Sequence, residues 1–232
     1  MSKGKLYGIG TGPGDPELLT LKAIRVIEQC DIIAVPGHSG EDRTALGIVE
    51  AHIAGKELLE VHFAMSRNME ERVAARLAAA QSIIDKLEQG LDVGFITLGD
   101  TTTYSTYMYV HEYIVTAGYE AEIIPGVTSF AAAAAALGIA LCSGDETLTI
   151  IPARHSLDIS ELLDMPGNKV IMKSSENLRT VLAELKARGL SANTKIASRV
   201  TMDGQALFNS IDEFEQSDEG GYFTLAIVKE GN

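Results

Sequence analysis

Gly10, Gly12 and Gly14 alternate with Thr11 and Pro13 in the stretch GIGTGPGDPELL, between a short apolar run and a helical pattern. Glycines at that density let a backbone come close to a ligand. The ligand is not a phosphate. A dinucleotide fingerprint counted from Gly8 would need its third glycine at Pro13, and counted from Gly10 at Asp15. The Gly-Lys-Ser/Thr of a Walker loop is also missing. A helix start follows instead, with Asp15 as N-cap, Pro16 at the first helical position and Glu17 in the first turn. That helix end already carries negative charge, which would repel a phosphate. Two further loops hold glycine beside hydroxyls: Leu98-Gly99-Asp100-Thr101-Thr102-Thr103-Tyr104, and Pro125-Gly126-Val127-Thr128-Ser129. Each follows an apolar run. Open α/β sheets bind small molecules at the carboxyl ends of their strands, so the three loops predict one small-molecule cleft, placed between two domains.

The elements that must position these loops alternate in the first half. Strand patterns at Lys5–Ile9, Asp31–Val35, Glu57–Phe63 and Asp92–Thr97 are separated by helical patterns at Pro16–Gln29, Thr44–Ile53 and Asn68–Glu88, with another helix at Tyr104–Thr116. Alternation of this kind predicts a mainly parallel sheet covered by helices. The later part differs. Glu120–Ile124 and the helix Thr128–Leu137 lead into strands at Thr147–Ile151, Lys169–Met172, Lys195–Arg199, Gln205–Asn209 and Phe223–Val228, with one long helix, Glu176–Ala187, among them. Strands in succession predict antiparallel pairs. The reading is therefore an α/β protein of two α/β domains, residues 1–118 and 119–232. The alanine run Ala131–Ala136 predicts a helix packed close to a neighbour.

Composition is that of a soluble globular chain of 232 residues with no Trp. A formal net charge of −13 counts against a nucleic-acid partner, because neutralising phosphates requires a basic surface. Cys30 and Cys142 lie far apart within apolar stretches and read as buried thiols. No His/Cys/carboxylate cluster has zinc spacing. No apolar leader or membrane-length run is present, and the expected location is the cytoplasm.

The motifs GIGTGPGDPELLTLKA, then LGD after a buried strand, then IPGVTS before an alanine-rich helix, resemble the tetrapyrrole (corrin/porphyrin) methyltransferase superfamily. The resemblance runs from Leu6 to the last strand. Within it, YSTYMYVHEYI (Tyr104–Ile114) and GDETLTIIPA (Gly144–Ala153) are most similar to C(20)-methyltransferases acting on precorrin-2 or cobalt-factor II in cobalamin formation. The resemblance implies two α/β domains, a homodimer, and S-adenosylmethionine held in the cleft between the domains. It assigns that ligand to Pro13, Leu98, Gly99, Asp100, Thr101, Tyr104, Thr128, Ser129, Met172, Arg199, Val200, Tyr222, Phe223 and Thr224. The family usually has Gly-Asp-Pro where this chain has Gly99-Asp100-Thr101, which frees an N–H and loosens the loop.

On this reading Asp100 pairs with the ammonium of the donor, and Gly10, Gly12 and Gly14 let a flat macrocycle approach the methyl group. The acceptor carbon is itself electron-rich, so the protein supplies mainly proximity and orientation. Tyr104, Tyr107 and His111 are placed where a base could act, and none has the sequence signature of one. The carboxylate-rich substrate calls for basic partners, with Arg43, Arg67, Arg154 and Lys173 as candidates. The long helix Asn68–Glu88 carries more apolar surface than one sheet face covers, which agrees with a homodimer. The competing readings are another branch of the superfamily, with a different ring position or a diphthine-type protein substrate, and a regulator that keeps the fold without catalysis.

Overall fold

The first strand, β1 (Leu6–Gly10), is buried at every position but Tyr7, as befits a strand with neighbours on both sides in a parallel sheet. The structure, a computed structural model, describes residues 3–37, 40–64, 66, 68–153, 158–173, 177–217 and 219–230, without the side chains of 40–42. Arg67 and Arg154, two candidates for the substrate carboxylates, lie outside the described residues.

A turn of 3-10 helix, Pro16–Leu18, follows β1, and then come α1 (Leu21–Gln29), β2 (Ile32–Gly37), α2 (Gly40–Val49), β3 (Glu57–His62), α3 (Met69–Leu87), β4 (Val93–Thr97), α4 (Tyr107–Thr116) and β5 (Ala121–Ile124). The strands lie in the order β3-β2-β4-β1-β5, every pair parallel. One face packs Ile9, Ile33, Ile96 and Ile124 on Val26 and Ile27 of α1 and Ile48 of α2. The other packs Leu6, Ala34 and Phe95 on Ile83 of α3 and on Val110 and Ile114 of α4.

Several boundaries differ from the sequence pattern for local reasons. The single helix expected over Pro16–Gln29 is broken at Leu19 and Thr20, both extended. The Thr20 hydroxyl accepts from the Ala23 N–H at 3.0 Å and so caps a new helix. Pro36 does not stop β2: pairing with β4 ends at Ala34, and Pro36 lies where the strand has only β3 beside it. Helix α3 starts where Asn68 accepts from the Glu70 N–H.

The largest difference is β5. Expected to open the second domain, it pairs with β1 from Leu6↔Ala121 to Ile9↔Ile124. The chain divides into compact units at residues 1–128 and 129–232, later than the expected boundary at 118–119.

The second unit contains α5 (Ser129–Leu137), β6 (Leu148–Pro152), α6 (Ile159–Asp164), β7 (Asn168–Met172), α7 (Leu178–Ala187), β8 (Thr194–Ser198), β9 (Ala206–Phe208), α8 (Ile211–Glu215) and β10 (Thr224–Val228). Its sheet has the order β6-β7-β10-β8-β9. β6 and β7 are parallel, while β10 is antiparallel to β7 and β8, and β8 to β9. The expected antiparallel pairs are present. The core sets Ile171, Ile196 and Ala226 against Val181, Leu185, Ile211 and Phe214. The alanine-rich α5 lies against β8 and β10. Cys30 is buried, and burial pushes its thiol up to about 12. Cys142 is exposed, against expectation. It falls in the segment after α5, where the apolar run no longer belongs to a helix or strand.

Candidate functional site

In the first unit the three glycine loops meet at the carboxyl ends of β1, β4 and β5. The Gly12 N–H donates to the Gly99 carbonyl at 3.1 Å, and the Gly99 N–H returns a bond to the Gly12 carbonyl at 2.7 Å. Both glycines are left-handed, with φ of 75° and 76°. Gly10 and Gly126 touch backbone to backbone. A Cβ on Gly10 would lie 2.5 Å from the Gly126 nitrogen and 2.8 Å from the Gly99 carbonyl oxygen, and one on Gly126 would strike that same oxygen. The opening glycines therefore hold other loops.

Packing alone accounts for a glycine at position 10, where the resemblance implied a substrate role: the space where its side chain would stand is filled by Gly99 and Gly126. A Cβ on Gly12 would likewise meet the Leu18 carbonyl at 3.2 Å. Gly14 is half-buried, and Pro13 is buried within the loop.

Asp100 is buried, and its carboxylate is engaged inside the protein. Oδ1 accepts from the Thr102 N–H at 2.9 Å and from the Thr102 and Thr103 hydroxyls, and Oδ2 accepts from the Gly126 N–H at 3.0 Å. Burial works to raise its pKa. The donors from Thr102, Gly126 and Thr103 outweigh it and hold the carboxyl below its ordinary value. The fully buried Thr101 donates its hydroxyl to the Ile124 carbonyl at 3.3 Å. The threonine that stands where proline is usual thus fastens the loop by a bond that proline could not make. Thr102, Thr103 and Gly126 were missed as partners of Asp100. The run Asp-Thr-Thr-Thr was the available signal, since Asp side chains commonly bond to the backbone two residues on. Leu98, Thr128 and Ser129 are half-buried, and Tyr104 is exposed.

In the second unit the predicted residues gather at one end of the sheet. Antiparallel pairing brings the start of β10 beside the ends of β7 and β8, with Thr224 opposite Ser198 and Ala226 opposite Ile171. Met172, Arg199, Val200, Tyr222, Phe223 and Thr224 therefore lie together. The Arg199 N–H donates to the Phe223 carbonyl at 3.1 Å, and the hydroxyls of Ser198 and Thr224 are 3.2 Å apart. The Arg199 guanidinium donates to Glu219 at 2.8 Å and to the Gly204 carbonyl at 3.0 Å. Lys173 donates to the Tyr222 hydroxyl at 3.1 Å. Glu219 was not foreseen, because a carboxylate in a polar loop carries no signal of its partner.

Among the described residues, the non-glycine residues with left-handed backbone are Tyr104, Lys173, Arg199 and Thr201. Each is a predicted site residue or a neighbour of one. Such backbone costs about 1–3 kcal/mol per residue and collects where ligands are held.

The base candidates separate. Tyr107 is fully buried, its ring against Phe95 and its hydroxyl 3.0 Å from His111 Nδ1. Burial pushes its phenol well above the ordinary value. A Cβ on Gly8 would strike the Tyr107 ring, so Tyr107 belongs to the core beneath β1. Arg43 is exposed. Among the described residues no group of three His, Cys, Asp or Glu side chains is arranged to hold a metal ion.

Comparisons with known proteins give the family. The family model described as Tetrapyrrole (Corrin/Porphyrin) Methylases matches residues 5–215. The chain belongs to the tetrapyrrole methylase family. A probable cobalt-precorrin-2 C(20)-methyltransferase of Methanocaldococcus jannaschii is 34% identical, covering 97% of this chain and 96% of that protein. The cobalt-precorrin-2 C(20)-methyltransferase of Salmonella typhimurium is 33% identical, with 97% and 96% covered. The X-ray structure of a cobalt precorrin-4 methyltransferase superposes with a TM-score of 0.78 at 22% identity, covering 97% of this chain and 94% of that one. This likeness shows that the α/β fold of this tetrapyrrole methylase is the family's. A sulfonium methyl donor is compatible with the two residue clusters, which supply hydroxyls and main-chain groups at strand ends. The carboxylate of Asp100 is the exception, since four protein donors already occupy it.

Proposed function

We propose that the chain transfers a methyl group from S-adenosylmethionine to the C-20 meso carbon of precorrin-2 or its cobalt form, within cobalamin formation. The observation that carries this reading is the identity of about one third, over almost the whole length, to relatives named for that reaction. In the reaction the carbon–sulfur bond of the donor breaks as the new carbon–carbon bond forms, and the acceptor carbon releases its proton. The protein's share is to hold the two reactants in line. The candidate donor-binding residues of the first unit are Leu98, Gly99, Tyr104 and Thr128, and those of the second unit are Ser129, Ser198–Val200 and Tyr222–Thr224. The left-handed backbone at Arg199 and Tyr104 supports these placements. Incubating the purified chain with the donor and each of the two acceptors in turn tests the reading. Gain of one methyl group, located at C-20 by NMR, is the expected result, and methylation of neither acceptor would refute it.

The chain is further proposed to act in the cytoplasm as a homodimer. Leu77 and Met69 on α3 and Tyr109 and Val115 on α4 remain exposed, an apolar surface of the kind that a second copy covers. Sedimentation at micromolar concentration is expected to give twice the chain mass, and a monomer would count against the pairing.

A further inference from the structure

The loop after β4 is fastened more heavily than a strand-to-helix turn requires. Asp100 is buried, yet among the described residues no cation pairs with it. Its carboxylate instead collects the N–H and hydroxyl of Thr102, the hydroxyl of Thr103, and the N–H of Gly126 on the neighbouring loop. Four donors fill the accepting capacity of a carboxylate, and hydrogen bonds to an ionised acceptor are the stronger kind. One residue on, Thr101 reaches the Ile124 carbonyl. Both attachments end on the segment 124–126, which leads directly into Thr128.

We propose that Asp100 and Thr101 are positioning residues for methyl transfer: they clasp the 98–103 loop to the 124–126 segment and fix the spacing of donor-binding groups, without touching the donor. The proposal rests on the reading that the chain uses a sulfonium methyl donor. It departs from the expectation that Asp100 meets the donor's ammonium, because a carboxylate doing so would have to give up bonds that hold its own loop. The negative charge serves the clasp. An amide at position 100 keeps one accepting oxygen but turns an NH2 toward donors, and a valine at position 101 keeps the shape and loses the hydroxyl bond.

Two probes separate a clasp from a direct contact: S-adenosylhomocysteine, and its analogue in which hydrogen replaces the α-amino group. Calorimetric titration is carried out on the wild-type chain, Asp100→Asn, Thr101→Val and the double variant. The clasp predicts that Asp100→Asn weakens both probes by the same factor, on the order of tenfold. It predicts that Thr101→Val weakens both by a smaller common factor, and that the double variant loses less than the product of the two, since both substitutions loosen one attachment. A direct contact predicts that Asp100→Asn weakens the amino form only, and that Thr101→Val changes neither affinity. That pattern would overturn the proposal. So would variants with lower melting temperatures and unaltered affinities, which would reduce the bonds to general stability. A wild-type chain that binds neither probe would remove the donor reading itself, and the clasp with it, an outcome distinct from any difference among the variants.

Discussion

Gly10 and Gly126 meet with no room for a side chain between them, and that contact sets how the site tolerates change. Adding one carbon at Gly126 would drive it into the Gly99 carbonyl, an atom already bonded to the Gly12 N–H. Backbone cannot yield as the end of a flexible side chain does, so loops must part. Gly126→Ala is expected to lower stability by about 2 kcal/mol, measured by denaturant unfolding. A stability loss below about 0.5 kcal/mol would show that the loops are less tightly joined than the geometry indicates. The presence of a special loop was legible in the sequence, because glycines between a strand and a helix are a local signal. What the glycines hold was not legible, because Gly10, Gly99 and Gly126 are far apart in the chain and become neighbours only when β1, β4 and β5 align.

At the scale of elements, the same physics decides what was readable. The buried strand DVGFIT and the capped helix α3 carry their pattern within a few residues and appear where expected. The place of β5 does not follow from its own residues, since a parallel strand finds its neighbour through a crossover and Ala121–Ile124 pairs with residues more than a hundred positions earlier. The short α6 and α8 span too few residues to show a helical period. Being at the sheet edge, β5 is also held by charge. Glu122 bonds Lys5 and Lys22, each at 2.7 Å, and these two cations lower its carboxyl from 4.5 to about 2. A depressed carboxyl contributes stability above its unfolded pKa and loses it as pH falls through the folded one. The contribution is therefore full above about pH 4.5 and disappears toward about pH 2. A third of the Glu122 side chain is exposed, and solvent screening limits the contribution to about 1 kcal/mol or less. Glu122→Gln is expected to be less stable than the wild type near pH 6, with the gap closing as the pH falls from about 4.5 toward 2. A gap independent of pH would rule out the ion pairs as its source.

Over the whole molecule, a net charge of −13 faces an acceptor that carries carboxylates. Like charges slow encounter, and salt screens the repulsion. For the proposed reaction, kcat/KM for the tetrapyrrole is expected to rise with ionic strength between about 0.01 and 0.15 M, while that for the donor, a net cation through its ammonium and sulfonium, does not rise. A fall instead would show that a local basic pocket dominates the approach. The position of β1 has a consequence of another kind, during synthesis. The first strand made is flanked in the finished sheet by β4 and β5, the last two of its unit. Leu6–Gly10 therefore leaves the ribosome with apolar faces and free backbone groups that no neighbour can match until Val93–Thr97 has been translated. At about 5–20 residues per second that wait lasts seconds, long enough for a chaperone to bind. Ribosome-bound chains halted before Val93 are expected to stay protease-sensitive throughout the first unit, and chains halted well past Thr128 to be protected. Early protection would mean that β2 and β3 fold as a pair before the strand that will sit at the centre of their sheet has found its place.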